Sequence, residues 1–304
     1  MTKSRTIIRN SVFGNISIAN NGMNFSSKSF ASIISSWSGS IKSWTSASIV
    51  VFFLVLTLFA YISYGCGSQK GKETKSEISI NQLTEQEKKD GWILLFDGET
   101  FNNWRGMQID TLPPGWILED QSIKKMSKEE MPRKDGKPVK SGDLISTNTY
   151  ENFELAWEWK ISPNGNSGVK YNVLEELSGG THALGWEYQI VDDTMRYIRD
   201  MPNKQAGALY DMIAPAYSVT KPVGEYNKSR LIFNGNHGEH WLNGKKVVEY
   251  DMNTVEFDSL FQLSKYRDIP GFRTRKKGHI VLQDHPGSSW FRNIKIRVLN
   301  PGEH

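Results

Sequence analysis

The sequence predicts an all-β chain, an antiparallel β-sandwich with long loops. Short runs alternate apolar and polar residues with a period of two, as strands with one face on a core do. Turn pairs such as Asp97-Gly98, Asn164-Gly165 and Asn243-Gly244 separate those runs at close intervals. Eight of the ten tryptophans stand after Cys66, where they supply the large side chains that a sandwich core packs. No internal repeat and no long helical period interrupts the pattern.

Residues 1–65 read as an export segment rather than as part of the fold. Lys3, Arg5, Arg9, Lys28 and Lys42 are their charged residues, with no Asp or Glu. The nearly apolar run Ile49–Ile62 follows, then Ser63-Tyr64-Gly65-Cys66. A basic region, a short apolar stretch and a small residue before a cysteine describe an export signal. At fourteen residues the run falls short of the roughly 20 that a spanning helix needs. Cys66, the sole cysteine, is therefore expected to be a lipidation site that ties the protein to a membrane, in the periplasm or on the cell surface. Ser63 stands where such signals usually carry Leu, Met23 offers a later start, and an uncleaved N-terminal anchor is the rival reading.

Without this segment the basic character disappears. The whole chain is +4, but residues 66–304 hold 32 basic against 33 acidic groups, a net −1. No basic patch remains to argue for nucleic acid, and no nucleic-acid partner is expected. The domain must also hold together without disulfides, and its length allows one large core. Residues 66–88 are polar and charged and read as a flexible tether, ending in a helical turn near Thr84–Lys89. The sandwich itself is expected over residues 89–299.

Its strands follow in order. Gly91–Phe96 opens the domain, and Trp116–Ile123 has the look of strand, tight turn, strand. Met126–Ser141 is a charged loop, and Asp143–Ser146 a short strand. Phe153, Leu155, Trp157, Trp159 and Ile161 alternate with Glu154, Glu158 and Lys160, so the first set should face the core. A turn at Pro163–Gly168 leads to Val169–Val173. In Trp186–Val191 the inward set is Trp186, Tyr188 and Ile190. Residues 192–222 make a long irregular segment, and loops of that length in compact domains tend to be functional. Two hairpins follow, around Asn234–Gly238 and Asn243-Gly244. Gly278–Gln283 then alternates Ile280 and Leu282 with His279, Val281 and Gln283, and Trp290–Val298 closes the domain after the turn Asp284–Ser289.

The same alternation turns Glu158, Glu187, Gln189, His279 and Gln283 away from the core. If their strands share one curved sheet, these side chains line a common groove. Two carboxylates there would suit ordinary glycoside hydrolysis, with Glu158 and Glu187 as the pair. No zinc spacing, phosphate loop or marked nucleophile is present. The residues alone therefore support a β-sandwich with a polar, sugar-binding groove.

Several runs carry a resemblance. GWILLFDGETFNNWRG (91–106), GDLISTNTYENFELAWEWKISPNGNSGVKYNV (142–173), WEYQIVDD (186–193), GALYDMIAP (207–215), GEYNKSRLIFNGNHGEHWLNGKKVVEYD (224–251) and GHIVLQDHPGSSWFRNIKI (278–296) are similar to the 3-keto-disaccharide hydrolase family. The resemblance covers about residues 89–299 and implies a concanavalin A-like sandwich (a jelly roll) acting on 3-keto-glycosides or oligosaccharides. It implies a chemistry in which the C3 ketone acidifies the C2 proton, the C1 aglycone leaves by elimination, and water adds back. Glu158, Glu187, Gln189, Asp192, His240, Gln283 and His285 lie in the matching motifs, and Lys265 within the span that the resemblance covers. On this resemblance His285 or Glu187 is the base, His240 the acid, and Lys265 with Gln283 stabilise the enolate, a task that a divalent metal could also perform. Glu158, Gln189 and Asp192 are expected to bind substrate. A non-catalytic carbohydrate-binding protein and an ordinary glucanase are the alternatives.

Overall fold

The structure, a computed structural model, describes residues 79–303. The export segment 1–65, the Cys66 lipidation site and most of the tether lie outside the described residues. The end of that tether belongs to the fold. Asn81 is buried, its amide and side chain exchange hydrogen bonds with Asn293, and its Nδ2 donates to the Gln121 carbonyl. The folded region therefore begins before residue 89. Helix α1 (Glu85–Lys89) forms the expected turn, capped by Thr84 in a reciprocal box with Glu87.

The strands are β1 (Ile93–Leu94), β2 (Trp104–Gly106), β3 (Trp116–Glu119), β4 (Ser122–Lys125), the small β5–β6 hairpin (Arg133–Lys134, Lys137–Pro138), β7 (Leu144–Tyr150), β8 (Phe153–Ile161), β9 (Asn166–Val173) and β10 (Trp186–Val191). After α2 (Arg196–Arg199) come β11 (Asn227–Asn234), β12 (His237–Leu242) and β13 (Lys245–Asp251). Helix α3 (Val255–Leu263), β14 (Gly278–Leu282) and β15 (Ser289–Val298) complete the chain. Two antiparallel sheets result, as the sequence predicts. The first runs β13-β12-β11-β8-β15-β4-β3, with β1 also on β15; the second runs β10-β9-β14-β7-β2. Asn243 and Gly244 both take positive φ (48° and 81°), the tight-turn geometry that joins β12 to β13.

The inner faces meet in one aromatic core. Trp157 and Trp159 of β8, Tyr171 of β9, Trp186 and Tyr188 of β10, and Ile280 and Leu282 of β14 are all buried in it. Trp157 packs edge-on against Tyr188 across the sandwich, with centroids 4.9 Å apart. Trp157→Ala should therefore cost about 3–5 kcal/mol, read by denaturant melts, because neither sheet can collapse into the space it leaves. Helix α3, which the sequence reading did not anticipate, closes one side of the sandwich. Its Phe257 stacks on Tyr250 of edge strand β13 and meets Trp186 of edge strand β10.

Candidate active site

The outer face of the second sheet carries a cluster of polar and charged side chains, and the pairing register says which groups share it. Gln189 on β10 stands opposite Gly168 on β9. Gln283, one residue past β14, donates its backbone N–H to the Gly168 carbonyl. Asp143, one residue before β7, accepts the N–H of Asp284. One row across the sheet is thus Gln189, Gly168, Gln283, Asp143. The next row begins with Glu187 opposite Lys170 and continues into Val281 opposite Ile145. Val281, Ile145, Val173, Ala183 and Met107 form a small apolar cluster beside these charges. Glycine at 168 is needed for space: a Cβ there would sit 2.5 Å from Glu187 Oε1. The carboxylate lies over that gap.

Glu187 is buried, and burial pushes its carboxyl above the ordinary range; Lys170, Lys265 and the Gln283 amide pull it back only in part. Lys170 donates to Ala183 O at 2.9 Å and to Asp143 Oδ2 at 3.4 Å. Asp143 is wholly buried, yet its pKa falls: desolvation raises it, and His182, Lys170 and the N–H groups of Ala183 and Asp284 outweigh that. Lys265 is an exposed residue at the rim. Its ammonium lies 4.2 Å from the Tyr210 ring and 4.9 Å from that of Tyr266, and partial desolvation lowers its pKa.

At the other side of the row, Gln189 Nε2 donates to Asn166 Oδ1, and Asn166 Nδ2 faces His285 Nε2, both at 3.4 Å. That direction of donation leaves the His285 proton on Nδ1. Burial lowers the His285 pKa, which favours the neutral ring. His285 Nδ1, Gln189 Oε1 and Gln283 Oε1 are buried and find no hydrogen-bond partner in the protein. Partnerless buried polar atoms are costly, and these three stand on the same outer face as Glu187.

Glu187, Gln189, Gln283, His285 and Lys265 are thus brought to one region, but three expected members are not. Glu158 projects from β8 on the outer face of the first sheet, where it pairs with Arg292 at 2.9 Å and Lys228 at 3.5 Å. It lies across the sandwich from Glu187, so the two carboxylates cannot flank one glycosidic bond and the glucanase pair is corrected. His240 is in the interior with no exposure, between Tyr171 Oη (3.2 Å) and the Gly207 carbonyl (2.9 Å). Burial lowers its pKa to about 4, and it is a core histidine rather than an acid in the groove. Asp192 is taken up by Asn164 N, Thr194 N and Thr194 Oγ1. It walls a separate cavity of about 390 Å³ with Trp159, Ile161, Val191 and Asp193. Among the described residues that cavity contains none of the partnerless buried polar atoms found on the outer face.

Three groups went unread: Asp143, Lys170 and His182. Lys170 had a signal, since it alternates with the inward Val169 and Tyr171. For a metal, His237, Glu239 and Glu249 bring ligand atoms within 4.8 Å of one another. They belong to the β12–β13 hairpin of the other sheet, where Lys246 already bridges both carboxylates, at 3.1 and 2.6 Å.

Comparison with known proteins finds similarity over most of the chain. The sequence profile of the 3-keto-alpha-glucoside-1,2-lyase-like domain matches residues 91–297. A protein from Bacteroides thetaiotaomicron named 3-keto-disaccharide hydrolase is 32% identical over 290 residues, covering 83% of this chain and 99% of its own. A Parabacteroides distasonis crystal structure described as a glycosyl hydrolase is 29% identical with TM-score 0.63, covering 73% of this chain and all of that one. A second from the same organism, described in the same words, is 28% identical with TM-score 0.52, covering 68% of this chain and 99% of that one.

Proposed function

Because this chain belongs to the 3-keto-alpha-glucoside-1,2-lyase-like family, we propose that it cleaves 3-keto-glycosides, 3-keto-disaccharides among them, on the outer face of the second sheet. The observation that carries this reading is the set of partnerless atoms, Gln189 Oε1, Gln283 Oε1 and His285 Nδ1, on the same sheet face as buried Glu187.

The reaction asks for three things: a base at C2–H, donors at the C3 oxygen, and an acid at the leaving oxygen. Glu187 serves as base, because a carboxylate destabilised by burial takes a proton more readily than one in water. Lys170, one of whose ammonium protons is not engaged by Ala183 or Asp143, and the Gln283 amide stabilise the enolate oxygen, with Lys265 adding positive charge from the rim. The neutral His285 ring, donating from Nδ1, protonates the departing oxygen. Elimination leaves a C1–C2 double bond conjugated to the ketone, and water added across it completes a net hydrolysis.

The test offers purified protein a 3-keto-glucoside and its unoxidised counterpart with the same aglycone. Release from the ketone alone is expected, since only there is the C2 proton acidic. Release from both would mean an ordinary glycosidase, and release from neither a binding protein.

A further inference from the structure

The cleft contains a second histidine whose placement the fold has fixed from both sides. His182 lies in the connection between β9 and β10, with a side chain 63% exposed. Its two neighbours are pinned. Thr181 O accepts the Asp143 N–H at 2.9 Å, Ala183 N donates to Asp143 Oδ2 at 2.8 Å, and Ala183 O accepts from Lys170. Gly142 lets the two segments touch, since a Cβ there would meet Thr181 Cβ at 2.8 Å. His182 Nδ1 then lies 3.5 Å from Asp143 Oδ1, on a carboxylate that is itself fully buried. Three tertiary hydrogen bonds and a buried charge thus orient one solvent-facing imidazole. With Nδ1–H turned to Asp143, the Nε2 lone pair is directed away from that carboxylate.

We propose that His182, positioned by Asp143, is the base that activates water in the hydration half of the reaction. This inference rests on the 3-keto-glycoside reading above. After elimination the sugar carries a C1=C2 bond conjugated with the C3 ketone. An O–H bond of water breaks, its proton goes to His182 Nε2, and its oxygen bonds to C1. The C1=C2 electron pair shifts to give the C2=C3 enolate, and Glu187, its carboxyl proton having exchanged with solvent, delivers a proton to C2. The proton on His182 passes through solvent to His285, which gave one to the leaving oxygen, so atoms and charge balance. His182 has the exposure this step needs, whereas His285 is held inside the amide network.

Three charged groups act on the imidazole. Asp143 and Asp284 raise its pKa and Lys170 lowers it, while Lys125 lies 2.8 Å from Asp284 and moderates that charge. Hydration should therefore increase as pH rises through a value above that of an ordinary histidine, because the base works deprotonated. In Asp143→Asn, checked by a melt for folding, this limb should move to lower pH.

The experiment supplies the C1–C2 unsaturated 3-ketone directly and follows loss of its ultraviolet absorbance, alongside aglycone release from a 3-keto-glucoside. His182→Gln, a change at an exposed side chain, should slow hydration by roughly 10²-fold or more while aglycone is still released, so that the unsaturated ketone accumulates. Hydration at the wild-type rate in His182→Gln overturns the assignment of His182. So does a wild-type protein that releases aglycone without hydrating the ketone. A wild-type protein that releases no aglycone overturns the 3-keto-glycoside reading itself, and the role of His182 with it.

Discussion

Glu187→Gln is expected to reduce aglycone release from a 3-keto-glucoside by roughly 10²–10⁴-fold, the range for a lost general base. Glutamine keeps the shape that Gly168 accommodates and the hydrogen-bonding capacity toward Gln283, but it cannot accept the C2 proton. The loss should appear in kcat more than in KM, because an amide binds the sugar nearly as well as a carboxylate does. Stability should move the other way. Glu187 ionises near 4.5 in an unfolded chain and at higher pH in the fold, so stability falls as pH rises through that interval. Glutamine removes the penalty, and the variant should melt no lower than wild type at neutral pH. A variant that loses activity and also melts far lower would indicate a structural carboxylate instead.

His285→Ala is expected to separate proton abstraction from bond cleavage. The base remains, so exchange of the C2 hydrogen with solvent continues. The leaving oxygen lacks its acid, so aglycone release slows by roughly 10²–10⁴-fold. The defect should shrink as the aglycone becomes a better leaving group and vanish for a phenolate that needs no proton. A uniform loss of exchange and cleavage would make His285 the base and Glu187 a supporting charge.

The strands and much of the cleft were legible because period-two alternation is a local property. It turned Glu187, Gln189 and Gln283 outward, and they are outward. The same rule turned Glu158 outward too, but alternation is silent about which sheet a strand joins. β8 pairs with β11 and β15 while β10 pairs with β9, so two outward carboxylates ended on opposite sides of the molecule. Applied strictly, it would have corrected His240, which has the parity of buried Leu242 and alternates with the half-exposed Glu239 and Trp241. Helix α3 had a readable signature in Thr254 as cap, Glu256 and Asp258 in the first turn, and Phe257 and Phe261 four residues apart. Asp143 and His182 had none: 39 positions separate them, and hydrogen bonds from the Ala183 N–H to Asp143 and from the Asp143 N–H to Thr181 O bring them together.

That a C2 proton is removed on this face is tested most directly with a 3-keto-glucoside deuterated at C2, turned over in ordinary water beside enzyme-free controls. Elimination requires the deuterium to pass to the base and wash out, so the 3-keto sugar released should carry hydrogen at C2, and with Glu187→Gln the wash-out should stop together with cleavage. Full retention of deuterium at a normal rate of aglycone release would mean direct displacement at C1, and would contradict both the elimination and the role given to Glu187.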